Sequence, residues 1–93
     1  MAQVFKGDDI GAIFDGECPK GFPKDILAVA RRKIAMVKAA KVITDLKSPP
    51  GNKPHPLVDD RDGQWAIWIS GKYRLCFKWT ENGAADLEIT DYH

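Results

Sequence analysis

Cysteine and histidine are scarce, with two of each in 93 residues. Cys18 and Cys76 are far apart, and there is no CxxC pair and no His/Cys cluster. That excludes zinc-site spacing and makes a disulfide unexpected, so two reduced thiols are the simple reading. No apolar run approaches the roughly 20 residues a membrane-spanning helix needs. The opening stretch MAQVFKGDDI lacks the apolar centre of a signal peptide, so a cytoplasmic protein with no membrane partner is expected. Repeats, low-complexity tracts and linkers are absent too, and one domain over residues 1–93 is expected. What is present is a globular composition: 44% hydrophobic residues and three tryptophans.

The net charge of +1 hides an uneven distribution. From Lys20 to Lys53 nine Lys and Arg residues face only Asp25 and Asp45, a local +7. The flanking segments are each about −3. Such a stretch is either a solvated helix face or a contact for a polyanion or an acidic protein.

The hydrophobic period changes once along the chain. QVFKG reads as a short strand. DDIGAIFDGE reads as a short helix with an Asp as N-cap and Ile10, Ile13 and Phe14 inward. Pro23 suits the first turn of a longer helix, about Lys24 to Lys41, with Leu27, Ala30, Ile34 and Val37 on one face. Lys24, Arg31 and Lys38 are seven apart and line another face. Lys33 falls on the apolar side of that helix, where a charge is anomalous. VITDLK reads as one further turn. SPPGNKPHP is expected to be loop, because its prolines remove donors and fix φ. The period then becomes two. QWAIWI reads as a central strand, SG as a hairpin turn, and KYRLCFKW as a strand with Tyr73, Leu75, Phe77 and Trp79 on one face. After a TENGA turn, DLEITDYH puts Leu87 and Ile89 inward and Glu88, Thr90 and Tyr92 on the opposite face. The order β-α-α-β-β-β predicts an α+β fold, with two N-terminal helices on one face of a twisted antiparallel sheet.

The other face collects chemistry. Arg74, Lys78 and Tyr92 belong to it by alternation, and His55 and Arg61 lie in the loop before it. With Asp91 and His93 at the end of the last strand, the set suits metal-free RNA cleavage. A base must deprotonate the 2′-hydroxyl, an acid must protonate the leaving 5′-oxygen, and fixed cations must hold the charge that develops on the phosphate. Histidine fits the proton-transfer roles because it titrates near working pH. Plainer readings stand beside this one. His55 can be an ordinary loop residue, and Arg74 can pair with Glu88 across the strands. Asp59, Asp60 and Asp62 read as a solvated turn before a cation site, and Trp65 and Trp68 as core before a base-stacking platform.

The ordered set PPGNKPHPL, DRDGQWAIWI, YRLCFKW and the terminal EITDYH resembles the HigB branch of the RelE/ParE toxin superfamily over the whole chain. The resemblance implies a toxin of a type II toxin–antitoxin pair with a compact RelE-like fold. It implies an mRNA endoribonuclease that enters the ribosomal A site and cuts the message with no metal and no cofactor. It implies a helix-turn-helix, HigA-like antitoxin, and operator DNA reached only through that antitoxin. Carried over by position, the catalytic set is His55, Arg61, Arg74, Asp91, Tyr92 and His93. The two histidines serve as acid and base in either order. Asp91 orients a histidine or takes a proton, Tyr92 stacks on a base or bonds the phosphate, and the arginines stabilise the transition state. Family members with HPLKGDR carry a lysine where this chain has Val58 and a glycine where it has Asp59. The lysine's share then falls to Lys53, Lys72 or the ribosome, and Lys24, Arg31 and Lys38 are expected at ribosomal RNA. Two rivals are a ParE-like protein that poisons gyrase without catalysis and a weakly active toxin serving mainly in operon regulation.

Overall fold

A computed structural model of the chain describes residues 4–48, 50–57 and 63–91. Strand β1 (Val4–Lys6) leads into helix α1 (Asp8–Phe14), and a 3₁₀ turn at Lys24–Ile26 runs into helix α2 (Leu27–Ala39). Further 3₁₀ turns at Ile43–Lys47 and Pro50–Asn52 precede strands β2 (His55–Pro56), β3 (Gln64–Ser70), β4 (Tyr73–Thr80) and β5 (Gly83–Asp91). The strands form one antiparallel sheet in the order β1-β5-β4-β3-β2. This is the expected α+β arrangement with one strand more.

That extra strand corrects the loop reading of SPPGNKPHP. His55 and Pro56 pair with Ala66 and Trp65, and the Leu57 amide donates to the Gln64 carbonyl at 2.8 Å. Proline is admissible here because β2 is an edge strand, which does not need every amide donor.

Helix α1 starts at Gly7, which takes φ 62, and not at an aspartate cap. Asp8 and Asp9 instead fill the first turn, where a negative charge suits the helix dipole. At the other end Gly16 sits at φ 92. Its amide reaches the Ile13 carbonyl at 3.0 Å, and the Glu17 amide reaches Ala12 at 2.8 Å. That double bond is a Schellman stop, and glycine takes its left-handed position without strain. Phe14, expected inward, is 36% exposed at this helix end.

The core lies between the helices and one face of the sheet. Ile10, Ile13, Ala30, Ile34, Val37 and Leu46 meet Ile67, Ile69, Leu75, Phe77 and Ile89, all buried. Phe5 and Phe22 close one end edge to face, with centroids 5.1 Å apart. Each such side chain contributes about 1.5–3 kcal/mol on burial. A bulge in the β4–β5 pairing sets Asp86 and Leu87 opposite Phe77, with Asp86 at φ 53. It reverses the alternation, so that Leu87 packs on the core and Glu88 turns to the other face.

Lys33 has a partner that the helix pattern does not reveal. Its side chain is buried, 5% exposed, and its Nζ donates to Asn52 Oδ1. Asn52 is fully buried, and its amide nitrogen donates to the carbonyls of Leu46 at 3.1 Å and Ser48 at 3.4 Å. Burial, and then the neighbouring Arg32 charge, lowers the Lys33 pKa. One helix residue thereby anchors the proline-rich segment that leads to His55.

Candidate active site on the open face of the sheet

The strand register places the side chains of the face turned away from the helices. One row runs His55, Ala66, Cys76, Glu88 and Lys6, each opposite the next across the sheet. The next runs Trp68, Arg74, Thr90 and Val4. Ala66, Cys76 and Thr90 are small and buried, and the Cys76 Sγ lies 3.6 Å from the Thr90 hydroxyl. Ala66 and Cys76 make a low floor between His55 and Glu88, with Arg74 two residues along β4 from Cys76 and Thr90 beside Arg74 on β5. His55 and Arg74 stand two strands apart, roughly 10 Å by strand spacing. Long side chains can converge on one phosphate across such a gap.

Arg74 and Lys53 are positioned on this face. The Arg74 guanidinium donates to the carbonyls of Gly71 at 2.9 Å and Tyr73 at 3.1 Å. The Trp68 indole donates to the same Gly71 carbonyl at 3.0 Å. That carbonyl sits at the β3–β4 turn, where Gly71 takes φ 54. The turn is therefore Gly71–Lys72, one residue later than the expected SG. Lys53 reaches in from the proline-rich segment, its Nζ 5.8 Å from the Trp68 ring centre. An ammonium at that range is attracted by the indole face. Trp68, expected as core, thus stands half-buried between two cations on the open face. Trp65 does pack against the core.

His55 is exposed, and its Nδ1 lies 3.0 Å from the Lys53 carbonyl oxygen. A carbonyl can only accept, so this contact is a hydrogen bond in the Nδ1–H form of the ring. In the neutral ring Nε2 then holds the lone pair.

Asp91 stands elsewhere. It is opposite Tyr73 on the helix-facing side of the sheet, 4% exposed, with its carboxylate 3.4 Å from Lys72 Nζ. The expected convergence of Asp91 with Arg74 on one face is therefore corrected. Strand alternation turns Asp91 to the side of Ile89. Lys72, expected at phosphate, spends its ammonium on that carboxylate and lies 5.8 Å from the Tyr73 ring centre. Arg61, Tyr92 and His93 lie outside the described residues, as do Val58, Asp59, Asp60 and Asp62.

The basic stripe is exposed on the helix layer, away from the open face. Arg31 Nε donates to the Phe14 carbonyl at 2.9 Å, and Lys38 Nζ lies 4.4 Å above the Phe14 ring. Lys24 lies in the turn before α2. No helix among the described residues is long and apolar enough to cross a membrane.

Two helices on one face of a five-stranded antiparallel sheet, with positioned cations and a histidine on the other, define a RelE-like toxin architecture. The chain belongs to the HigB-like toxin family, the RelE-like toxins of HigB type II toxin–antitoxin systems, whose family model matches residues 3–93. It is 27% identical over 93 residues, the full length of both chains, to an endoribonuclease HigB of Proteus vulgaris. It is 34% identical over 85 residues, 90% of each chain, to toxin HigB-1 of Vibrio cholerae serotype O1. A protein of Haemophilus influenzae with no described function is 31% identical over 74 residues, 80% of this chain and 73% of the relative. Membership in a type II family implies a cognate antitoxin.

Proposed function

We propose that this chain is a metal-independent endoribonuclease that cuts mRNA in the ribosomal A site and so arrests translation in the cytoplasm. The observation that carries the reading is the open face. It holds an exposed histidine whose Nδ1 is engaged by a carbonyl, beside Arg74 and Lys53 held at either side of Trp68. The relative named an endoribonuclease, aligned over its full length, supports it.

In this reading one histidine takes the proton from the 2′-hydroxyl. The 2′-oxygen then attacks phosphorus, the P–O5′ bond breaks, and a second proton goes to the departing 5′-oxygen. The products are a 2′,3′-cyclic phosphate and a 5′-hydroxyl. His55 and His93 are the proton carriers. Arg74, Arg61 and Lys53 hold the charge that builds on the phosphate. Trp68 and Tyr92 offer stacking surfaces to bases of the message. Lys72 and Asp91 pin the start of β4 to the end of β5, and so support the segment that carries Tyr92 and His93. With Val58 in the place of a family lysine, Lys53 takes over that lysine's contact with the phosphate. A HigA-like helix-turn-helix antitoxin restrains the toxin and carries it to operator DNA.

Controlled expression with transcript-end mapping tests the reading. Growth arrest should come with new mRNA ends inside translated reading frames. Arrest with altered plasmid supercoiling and intact transcripts would point to gyrase and overturn it.

A further inference from the structure

Lys33 and Asn52 touch no reacting atom, yet a continuous chain of contacts leads from them to His55. The buried Lys33 ammonium holds Asn52, which is itself tied to the Leu46 and Ser48 carbonyls. The next residue, Lys53, sits at φ 47, a left-handed conformation that side chains rarely adopt. A strained backbone of this kind persists only when its surroundings impose it. Here the imposing elements are the Asn52 anchor behind Lys53 and the Lys53 amide bond to the Pro50 carbonyl at 3.3 Å. The consequence is that the Lys53 carbonyl faces the imidazole of His55 at 3.0 Å. His55 stands between two prolines, whose rings fix φ on either side of it.

We propose that Lys33 and Asn52 are positioning residues which, through the Lys53 carbonyl, hold His55 as its Nδ1–H tautomer and so make Nε2 the acceptor of the 2′-hydroxyl proton. His55 is then the base. The proton for the 5′-oxygen comes from the second histidine, His93. An unconstrained neutral imidazole favours the opposite tautomer, in which Nε2 carries the proton and cannot accept another. The chemistry of this inference rests on the endoribonuclease reading. The tautomer does not, and it can be read without RNA.

Long-range ¹H–¹⁵N correlation spectra, taken where the ring is neutral, report which nitrogen carries the proton. Only two histidines are present, so His93→Ala assigns them. Wild type should show His55 protonated at Nδ1. Asn52→Ala should shift it toward Nε2–H and slow cleavage of ribosome-bound mRNA by about 10²-fold. Where Asn52→Ala does not fold, Lys53→Val decides, since a β-branched residue resists φ 47. Lys53→Gly accepts that φ, keeps its carbonyl in place, and should keep the Nδ1–H form. An Nε2–H ring in wild type overturns the proposal, and so does an unchanged tautomer in folded Asn52→Ala or Lys53→Val. A wild-type Nδ1–H ring in a protein that cuts no mRNA upholds the clamp and overturns the endoribonuclease reading instead.

Discussion

Replacing Asn52 with alanine removes its hydrogen bonds with Lys33, Leu46 and Ser48, and a weak 3.9 Å contact with the Met36 sulfur, at one fully buried position. The two bonds to the Leu46 and Ser48 carbonyls are neutral, each worth about 1 kcal/mol net. The bond from Lys33 is charge-assisted, at about 1.5–3 kcal/mol, and its loss leaves a buried ammonium short of an acceptor. Allowing for water entering the space left by the amide, the loss should be about 3 kcal/mol. For a domain of this size that corresponds to a drop in Tm of roughly 12–24 °C. The loss should also depend on pH. Burial already lowers the Lys33 pKa, and losing the acceptor lowers it further. Between that lowered value and the unfolded lysine value of about 10.4, the unfolded chain binds more protons, so stability rises with pH. The rise starts at lower pH in the variant, so the gap to wild type should narrow as pH climbs from 7 toward 10. In Asn52→Ala/Lys33→Met the two losses should be less than additive, because the second change removes the stranded charge. Urea unfolding at pH 7 and 9.5 measures all of this. A loss under 1 kcal/mol for Asn52→Ala, or an equal loss at both pH values, would refute the reasoning.

Other expectations are simpler. Removing the charges of Lys24, Arg31 and Lys38 together tests whether the stripe meets ribosomal RNA. The salt dependence of ribosome binding should flatten if it does, and an unchanged slope would make the stripe a solvated face packed around Phe14. Cleavage should survive EDTA once ribosome integrity is maintained with separately supplied magnesium, and rescue by a transition metal alone would contradict the mechanism. Asp91→Ala leaves Lys72 without its carboxylate and loosens the β4–β5 end, so it should lower both stability and cleavage. Asp91→Asn should keep most of the stability, as measured by thermal unfolding.

Much of the fold was legible because the hydrophobic period is clean. Ile34 and Val37 at helical spacing, and Leu75 and Phe77 at spacing two, place the core without reference to partners. What escaped depends on contacts between segments. Lys33 is an anomaly on an apolar face, but its partner lies 19 residues away in the 3₁₀ turn Pro50–Asn52. A two-residue strand at His55–Pro56 is too short for any period to show. Trp68 looked like core because QWAIWI is apolar on both faces, and its neighbours Ile67 and Ile69 do lie inside. Asp91 could have been placed from sequence. The alternation that sends Leu87 and Ile89 inward sends Asp91 with them. By chemistry it belongs with Tyr92 and His93, but strand alternation turns its side chain inward.

The central claim is that the open face cuts RNA by proton transfer and charge stabilisation. Purified protein should be mixed with ribosomes programmed with a short end-labelled mRNA, and the product ends identified. The expected result is a 2′,3′-cyclic phosphate and a 5′-hydroxyl from wild type. His55→Ala and His93→Ala should each cut at least about 10²-fold more slowly while remaining folded and bound by antitoxin. Wild-type cleavage rates in folded His55→Ala and His93→Ala, or a 5′-phosphate in the products, would contradict the account.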